Sequence, residues 1–184
     1  IVRLGCVPER PPALPRALEA IASADLILLG PGSLYTSLLP NLLVPELVSA
    51  IQHSRAPRLY ICNLMTQPGE TDGLDVRGHL RAIEAQLASL GIDQRLFTAV
   101  LAQNDLDASP LLELYRARGA EPVLCDADSL RQDGYEVTQA PLQGARPTAT
   151  LRHDPRSLSL AVMRFYRRHR KDSPQRRGES PAVS

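Results

Sequence analysis

Apolar residues along the first 125 positions of the chain alternate between helical spacing and short continuous runs. Helical spacing occurs over 13–24, from Pro45 onward, between Asp75 and Gly91, and from Ser109 to Gly119. Continuous apolar runs, typical of parallel strands covered on both faces, occupy 25–29, 58–62, 96–101 and 122–125. Because strands and helices alternate, the sequence predicts an α/β fold with a doubly wound, mainly parallel sheet.

The pattern changes after Cys125, where 134–138 and 148–151 have the composition of short strands without an intervening helix. This arrangement predicts a short antiparallel edge to the sheet. Asp154 and Pro155 then provide the start of a last helix, since an Asp cap followed by Pro is a common helix beginning. The apolar face of that helix contains Leu158, Ala161, Val162 and Phe165.

Length and composition predict one domain. The chain has 184 residues, of which 43% are hydrophobic, enough to bury a single core of ordinary size. We expect that domain to occupy 1–169 and to be followed by a disordered basic tail over 170–184, which has few apolar residues. Residues 1–7 already have the composition of a strand, so we expect the N-terminal part of the fold to precede Ile1.

The charge distribution argues against a nucleic-acid surface. From Arg164 onward there are seven basic and two acidic residues, which leaves 14 basic against 18 acidic residues before that point. A mildly acidic body lacks a phosphate-tracking surface, so no specific nucleic-acid partner is expected. The basic end is either a contact for an acidic partner or an anionic membrane surface, or a solvated helix end. Its charged residues are Arg164, Arg167, Arg168, Arg170 and Lys171.

Cysteine use and hydropathy indicate a cytoplasmic protein. Cys6, Cys62 and Cys125 form an odd set without CxxC spacing, which favours reduced thiols. No apolar stretch approaches the roughly 20 residues that a membrane span needs, so we expect no membrane span.

Three polar segments follow predicted strands or begin a predicted helix, and ligands of doubly wound sheets bind at that edge. The first is the Gly30–Pro31–Gly32–Ser33 turn with Thr36 and Ser37 beside it, where glycines and hydroxyl groups suit a phosphate. The alternative is a tight turn with a hydroxyl cap.

The second segment is the long loop over 63–73, dense in amide, hydroxyl and carboxylate side chains that hydrogen-bond a sugar or a base edge. The third is Arg152 with His153 before the last helix, a cation beside free helix N–H groups. The alternatives are a solvated loop and an ordinary surface arginine. Glu70 and Asp72 are candidate Mg²⁺ ligands, but a pair of loop carboxylates is commonly just solvated, so the metal stays unassigned.

Two blocks of sequence, ADLILLGPGSLYTSLLPNLLV over 24–44 and YICNLMTQPGETDG over 60–73, resemble the YvcK-type gluconeogenesis factor family of the CofD-like superfamily. The resemblance extends over about 1–165. It implies a cytoplasmic bacterial protein of Rossmann-like fold that binds UDP-sugars and influences carbon metabolism, cell-wall supply and cell shape. Members of this family begin with a GGGTG loop that takes part in nucleotide binding, and that loop is absent from the residues of this chain.

Carried over residue by residue, the resemblance predicts ligand contacts but no catalytic residue. The ligand-binding residues are Gly30, Gly32, Ser33, Thr36, Ser37, Asn41, Asn63, Thr66, Gln67, Gly69, Glu70, Thr71 and Arg152. The implied ligand is a UDP-sugar such as UDP-N-acetylglucosamine, and protein partners and a homo-oligomer are also expected. The alternative is a CofD-like 2-phospho-L-lactate transferase that acts on a deazaflavin acceptor with Mg²⁺. The residues favour the binding protein, because the CofD branch has a different, asparagine-containing loop where this chain has GPGSLYTS.

Overall fold

The fold is a four-stranded parallel sheet covered by helices on both faces. The computed structural model describes residues 1, 4–104, 106, 110–143 and 150–170. The strands follow chain order across the sheet, β1-β2-β3-β4, and every neighbouring pair is parallel. Their bounds are Ile27–Leu29 for β1, Arg58–Ile61 for β2, Ala99–Gln103 for β3 and Glu136–Ala140 for β4. This confirms the predicted α/β class with its mainly parallel sheet.

Six α-helices surround the sheet in the described residues. They are α1 Pro15–Ser23, α2 Pro45–His53, α3 Val76–Ala88, α4 Pro110–Arg116, α5 Ala127–Gln132 and α6 Pro155–His169. A π-helical turn, Leu34–Leu38, and a 3₁₀ helix, Leu39–Leu43, connect β1 to α2. Among the described residues, no single helix is long and apolar enough to cross a membrane. Leu34–Leu43 and Pro45–His53 reach that length and composition only as a pair, across a bend of 81°.

Two apolar clusters hold the helices against opposite faces of the sheet. Tyr60, Val100 and Val137 belong to the cluster that includes the buried sides of α2, α3 and α5. Leu59 and Leu101, the sequence neighbours of Tyr60 and Val100, belong to the cluster that includes α4 and α6. Successive strand residues point to opposite faces, so burial of both sets explains why these strands are apolar runs without alternation.

The predicted antiparallel edge is wrong for 134–138. β4 pairs in parallel with β3, with Val100 opposite Val137. The six-residue helix α5 supplies the connection that a parallel strand requires, and Asp126 caps it by accepting from the Ser129 N–H at 3.0 Å. Only Ala127 and Leu130 of α5 are buried, too few to produce a helical pattern in the sequence.

Two further strand predictions differ from the structure. The run at 122–125 contains only an isolated antiparallel bridge between Pro122 and Met65, because proline has no N–H to donate to a ladder. None of the described residues among 1 and 4–7 lies in a strand. Outside the described residues lie Ser109, the first half of the predicted strand at 148–151, and the predicted tail beyond Arg170.

Candidate functional site

The carboxyl ends of the four strands lie along one edge of the sheet, since all strands are parallel. The Gly30–Ser33 turn leaves β1 there, the loop over 62–75 leaves β2, and Gln103 ends β3. The first two predicted segments leave strands at this edge, and the third reaches it through the hydrogen bond from His153 to the Cys62 carbonyl. The strands of the described chain follow in simple order without a reversal.

Gly30 occupies a position where any side chain would be strained. Its φ is +96°, and a Cβ added there would lie 2.7 Å from the Ile61 carbonyl oxygen of the neighbouring strand. A Cβ on Gly32 would meet the Leu38 side chain at 3.1 Å. The turn is thus pressed between β2 and the π-helical turn that follows, whose Leu34 and Leu38 are buried.

Hydroxyl groups in this turn form a chain that ends on a carboxylate. Thr36 Oγ1 donates to Ser33 Oγ at 2.6 Å, and Ser33 Oγ donates to Glu70 Oε2 at 3.0 Å. The Ser33 and Thr36 protons are therefore engaged within the protein, and the first segment is tied to the second. The Asn41 side chain is bonded to the backbone, since its Nδ2 donates to the Ser37 carbonyl at 2.7 Å.

The loop over 63–73 is closed by internal hydrogen bonds. The Thr66 N–H donates to the Glu121 carbonyl at 2.7 Å, and Thr66 Oγ1 accepts from the Glu121 N–H at 2.8 Å. Buried Thr71 accepts from the Gln67 N–H at 2.8 Å, and its own N–H donates to the Gln67 carbonyl at 2.9 Å. The Gly69 N–H donates to Asp72 Oδ2 at 2.7 Å. Thr66 and Thr71 hold the loop in shape, while its residues at 68–69 and 72–73 are exposed.

Gln67 and Asn63 remain available in this loop. Gln67 Oε1 is buried and has no hydrogen-bond partner in the described part of the chain. A buried acceptor left unpaired costs about 1–3 kcal/mol, so this atom has a physical reason to receive a donor. Asn63 is half-buried and directly follows Cys62 at the end of β2.

The Arg152–His153 segment is fixed to the end of β2. His153 Nε2 donates to the Cys62 carbonyl at 3.1 Å. Burial lowers the pKa of His153, partly offset by this hydrogen bond, so the imidazole is neutral near pH 7. Arg152 next to it is exposed and forms no ion pair within the described residues.

The start of α6 is also fixed to this edge. The Asp154 N–H donates to the Leu142 carbonyl at 2.7 Å, and its carboxylate caps α6 by accepting from the Ser157 N–H at 2.8 Å. Hydrogen bonds from the Ser157 backbone and side chain lower the pKa of Asp154. The helix start therefore already holds one negative charge, and Arg152 is the group beside it that attracts an anion.

Gln103 is a positioning residue that the sequence analysis missed. Its Oε1 accepts from the N–H groups of Leu142 at 2.6 Å and Gln143 at 2.9 Å, which holds the segment leading to α6 against β3. Gln103 is 5% exposed. A polar residue closing the apolar run AVLAQ was the only signal for it in the sequence.

Two contacts join the three predicted segments. Ser33 to Glu70 links the first to the second, and His153 to the Cys62 carbonyl links the third to the strand from which the second begins. Ser37 and Asn41 contact each other on the side of the first segment. Among the described residues, no group of three His, Cys, Asp or Glu side chains is placed to hold a metal ion.

The chain matches one protein family over most of its length. The model of the family described as 2-phospho-L-lactate transferase CofD matches residues 1–143. A curated relative from Nostoc sp. is 43% identical over 166 residues, which are 90% of this chain and 36% of that protein. The gluconeogenesis factor of Bacillus subtilis is 35% identical over 163 residues, which are 89% of this chain and 50% of that protein.

Solved structures agree with these matches. A crystal structure of a Bacillus halodurans protein superposes with a TM-score of 0.80 at 37% identity, covering 89% of this chain and 50% of that one. A second, of a Bacillus halodurans member of the UPF0052 family, gives a TM-score of 0.74 at 38% identity, covering 83% and 47%. The chain thus spans half or less of the length of these relatives. With the family match over most of the chain and this identity to gluconeogenesis factors, the chain belongs to the gluconeogenesis factor family of the CofD-like superfamily.

Proposed function

We propose that this protein binds a nucleotide sugar, of the UDP-N-acetylglucosamine type, across the carboxyl edge of its sheet and acts as a regulator without turnover. The role we assign is a cytoplasmic one in carbon metabolism, cell-wall supply and cell shape. The observation that carries the proposal is that the turn after β1, the loop after β2 and the segment before α6 meet through two hydrogen bonds, Ser33 to Glu70 and His153 to Cys62. Ligands of parallel α/β sheets bind at that edge.

The diphosphate is assigned to the Gly30–Ser33 turn. Main-chain N–H groups of a glycine-containing turn can approach phosphate oxygens closely. Arg152 supplies the cation, since an exposed guanidinium with no ion pair to the described residues can take two phosphate oxygens at once.

Glu70 competes with the phosphate for Ser33. In the structure the Ser33 hydroxyl donates to the Glu70 carboxylate at 3.0 Å. A phosphate oxygen that accepts the same proton must displace that carboxylate, because two anions on one hydroxyl repel each other. Displaced, Glu70 is an acceptor for sugar or ribose hydroxyl groups, and Gln67 Oε1 is a second acceptor for a ligand donor.

Isothermal titration of UDP-N-acetylglucosamine into the protein tests the proposal. We expect saturable binding without product formation. Arg152→Ala should weaken it about 10- to 100-fold, the cost of a charge-assisted contact. Arg156→Ala is the matched control, since Arg156 is a second exposed arginine at the start of α6. Absence of binding, or equal affinities for wild type and Arg152→Ala, would contradict the proposal.

The match to the family described as 2-phospho-L-lactate transferase CofD favours a second candidate. In that case the chain would transfer a phospholactyl group from an activated guanine-nucleotide donor to a hydroxyl group of a deazaflavin acceptor, with the guanosine monophosphate part of the donor as leaving group. Glu70 and Asp72 would be candidate ligands for the Mg²⁺ that assists the transfer. Incubation with the activated lactyl donor, a deazaflavin and Mg²⁺ separates the two candidates. Product formation would overturn the purely regulatory assignment.

A further inference from the structure

A groove of about 420 Å³ lies between β4 and α6, and none of the predicted ligand-binding residues lines it. Its walls combine the last residues of β4 with one face of α6. They are Thr138, Gln139, Ala140, Ala161, Arg164, Arg167 and Arg168. The proposed nucleotide-sugar site does not use this groove.

Three arginines crowd the helical wall of the groove. Arg164 lies three and four positions before Arg167 and Arg168, and all three are exposed. Like charges at these spacings on a helix repel each other and destabilise it. Arg168 is partly compensated, since its Nη2 donates to Thr138 Oγ1 at 3.1 Å and lies 3.6 Å from a Glu136 oxygen.

Arg164 and Arg167 have no acidic partner within the described part of the chain. Their repulsion is therefore uncompensated, while Val162 and Phe165, which do not line the groove, anchor α6 in the core. A partner that brings negative charge into the groove would relieve the repulsion without disturbing the core.

The strand wall of the groove is the edge of the described sheet. The Glu136 N–H donates to Thr98, and the Ala140 carbonyl accepts from Asn104, so residues at even positions of β4 face β3. Val137 and Gln139 consequently direct their main-chain groups outward, since bonding alternates along a strand. The Val137 carbonyl accepts from Arg131 at 3.4 Å. The Gln139 main chain is the part of this edge that adjoins the groove.

We propose that this groove binds an extended acidic segment of a partner protein. The main chain of that segment pairs with β4 at Gln139, as in strand addition to an exposed sheet edge. Its carboxylates, on alternate residues, reach the guanidinium groups of Arg164 and Arg167. Backbone pairing supplies affinity, and the two arginines select acidic sequences.

Fluorescence anisotropy with a labelled ten-residue peptide that alternates glutamate and valine tests this inference. The protein should bind this peptide, with affinity that falls as salt rises, and should not bind the same peptide with lysine in place of glutamate. Arg164→Glu combined with Arg167→Glu should weaken binding at least about tenfold, since two charge-assisted contacts are reversed. Arg16→Glu, an exposed arginine of α1 outside the groove, is the matched control and should bind normally.

A second variant tests the strand pairing. Gln139→Pro removes an outward N–H, and proline is tolerated on edge strands, so the fold should survive while peptide binding falls. Circular dichroism and thermal unfolding check the fold. Titration of UDP-N-acetylglucosamine should be unchanged in every variant of this groove, which separates this inference from the proposed function.

Three results would overturn the inference. Peptide binding that is insensitive to Gln139→Pro would indicate attraction by charge alone. A concentration-dependent dimer that Gln139→Pro makes monomeric would assign the edge to a second copy of the chain. Binding to vesicles of anionic lipid, lost in the double arginine variant while no peptide binds, would assign the arginines to a membrane surface.

Discussion

Gly30 connects β1 to the candidate site in a conformation that other residues adopt at a cost. Its φ of +96° and the 2.7 Å that would separate an added Cβ from the Ile61 carbonyl oxygen are two distinct obstacles to any side chain. Gly69, in the second loop, has a similar φ of +81° but no atom within 4 Å of an added Cβ. The pair therefore separates the effect of backbone conformation from the effect of close contact.

Gly30→Ala should lower the free energy of unfolding by about 2–5 kcal/mol, the sum of a left-handed backbone penalty and an overpacking cost. Gly69→Ala should cost only about 1–2 kcal/mol, from the backbone alone. Urea unfolding measures the loss of unfolding free energy in each variant. Alanine also restricts the unfolded chain more than glycine does, but this stabilising effect is the same in the two variants and cancels in the comparison. Equal losses would show that the close approach to Ile61 contributes nothing.

Glu70 tests where the phosphates lie. Glu70→Gln keeps an acceptor for the Ser33 hydroxyl but removes the negative charge. If the diphosphate lies against Ser33, affinity for UDP-N-acetylglucosamine should rise about 3- to 10-fold, as expected for removing a screened like charge. Asp72→Asn is the control, since Asp72 accepts from the Gly69 N–H within its own loop. Weaker binding by Glu70→Gln would place the phosphates elsewhere.

His79 makes stability depend on pH. It is fully buried, its Nδ1 donates to the Asp75 carbonyl at 2.9 Å, and its Nε2 has no partner in the described residues. Burial lowers the pKa of His79 below its ordinary value of 6.5, against a smaller opposing effect of Asp75. The folded state thus binds a proton less readily than the unfolded state.

The contribution of His79 to the unfolding free energy should accordingly be complete above its unfolded pKa and should fall as the pH drops below about 6.5. His153, whose pKa is also lowered, contributes in the same direction. His79→Asn should reduce this slope in urea titrations between pH 7 and 5. His53→Asn is the matched control, because exposed His53 also places Nδ1 near the carbonyl four residues earlier, at 2.8 Å. An unchanged slope in His79→Asn would contradict this account.

At the scale of elements, α3 fixes the end of the second loop. Its cap, Asp75, accepts from the Gly78 N–H at 2.7 Å. Asp75→Ala should cost about 1 kcal/mol in urea unfolding, whereas Asp75→Asn, which retains a capping oxygen, should cost less. Equal losses in the two variants would show that the side-chain cap does not stabilise α3.

Elements with strong local signals were predictable from the sequence. α3 has an Asp cap, a buried face of Val76, Leu80, Ile83 and Leu87, and a glycine with positive φ beyond its end, and all three signals are local. α5 was missed because its six residues make less than two helical turns. Without a connecting helix, β4 was predicted as antiparallel, whereas it is parallel to β3. The π-helical turn Leu34–Leu38 was missed because its apolar residues resemble the strand before it.

The candidate site was predictable as a set of segments but not as a set of roles. The parallel sheet places the segments after β1 and β2 at one edge whatever their side chains do, whereas side-chain bonds of His153 and Gln103 hold the third segment there. Whether a hydroxyl faces a ligand or the protein depends on contacts distant in sequence, such as Ser33 with Glu70 and Thr66 with Glu121. Spacing within one segment contains no information on such partners.

In the whole molecule, the turn after β1, the loop after β2 and the segment before α6 should form one surface for one ligand. Protein NMR measures this directly, through amide shifts of the labelled chain as UDP-N-acetylglucosamine is added. We predict that amides in 30–37, 63–73 and 151–154 shift together and yield a single dissociation constant. Shifts confined to one segment, or distributed outside all three, would contradict the account.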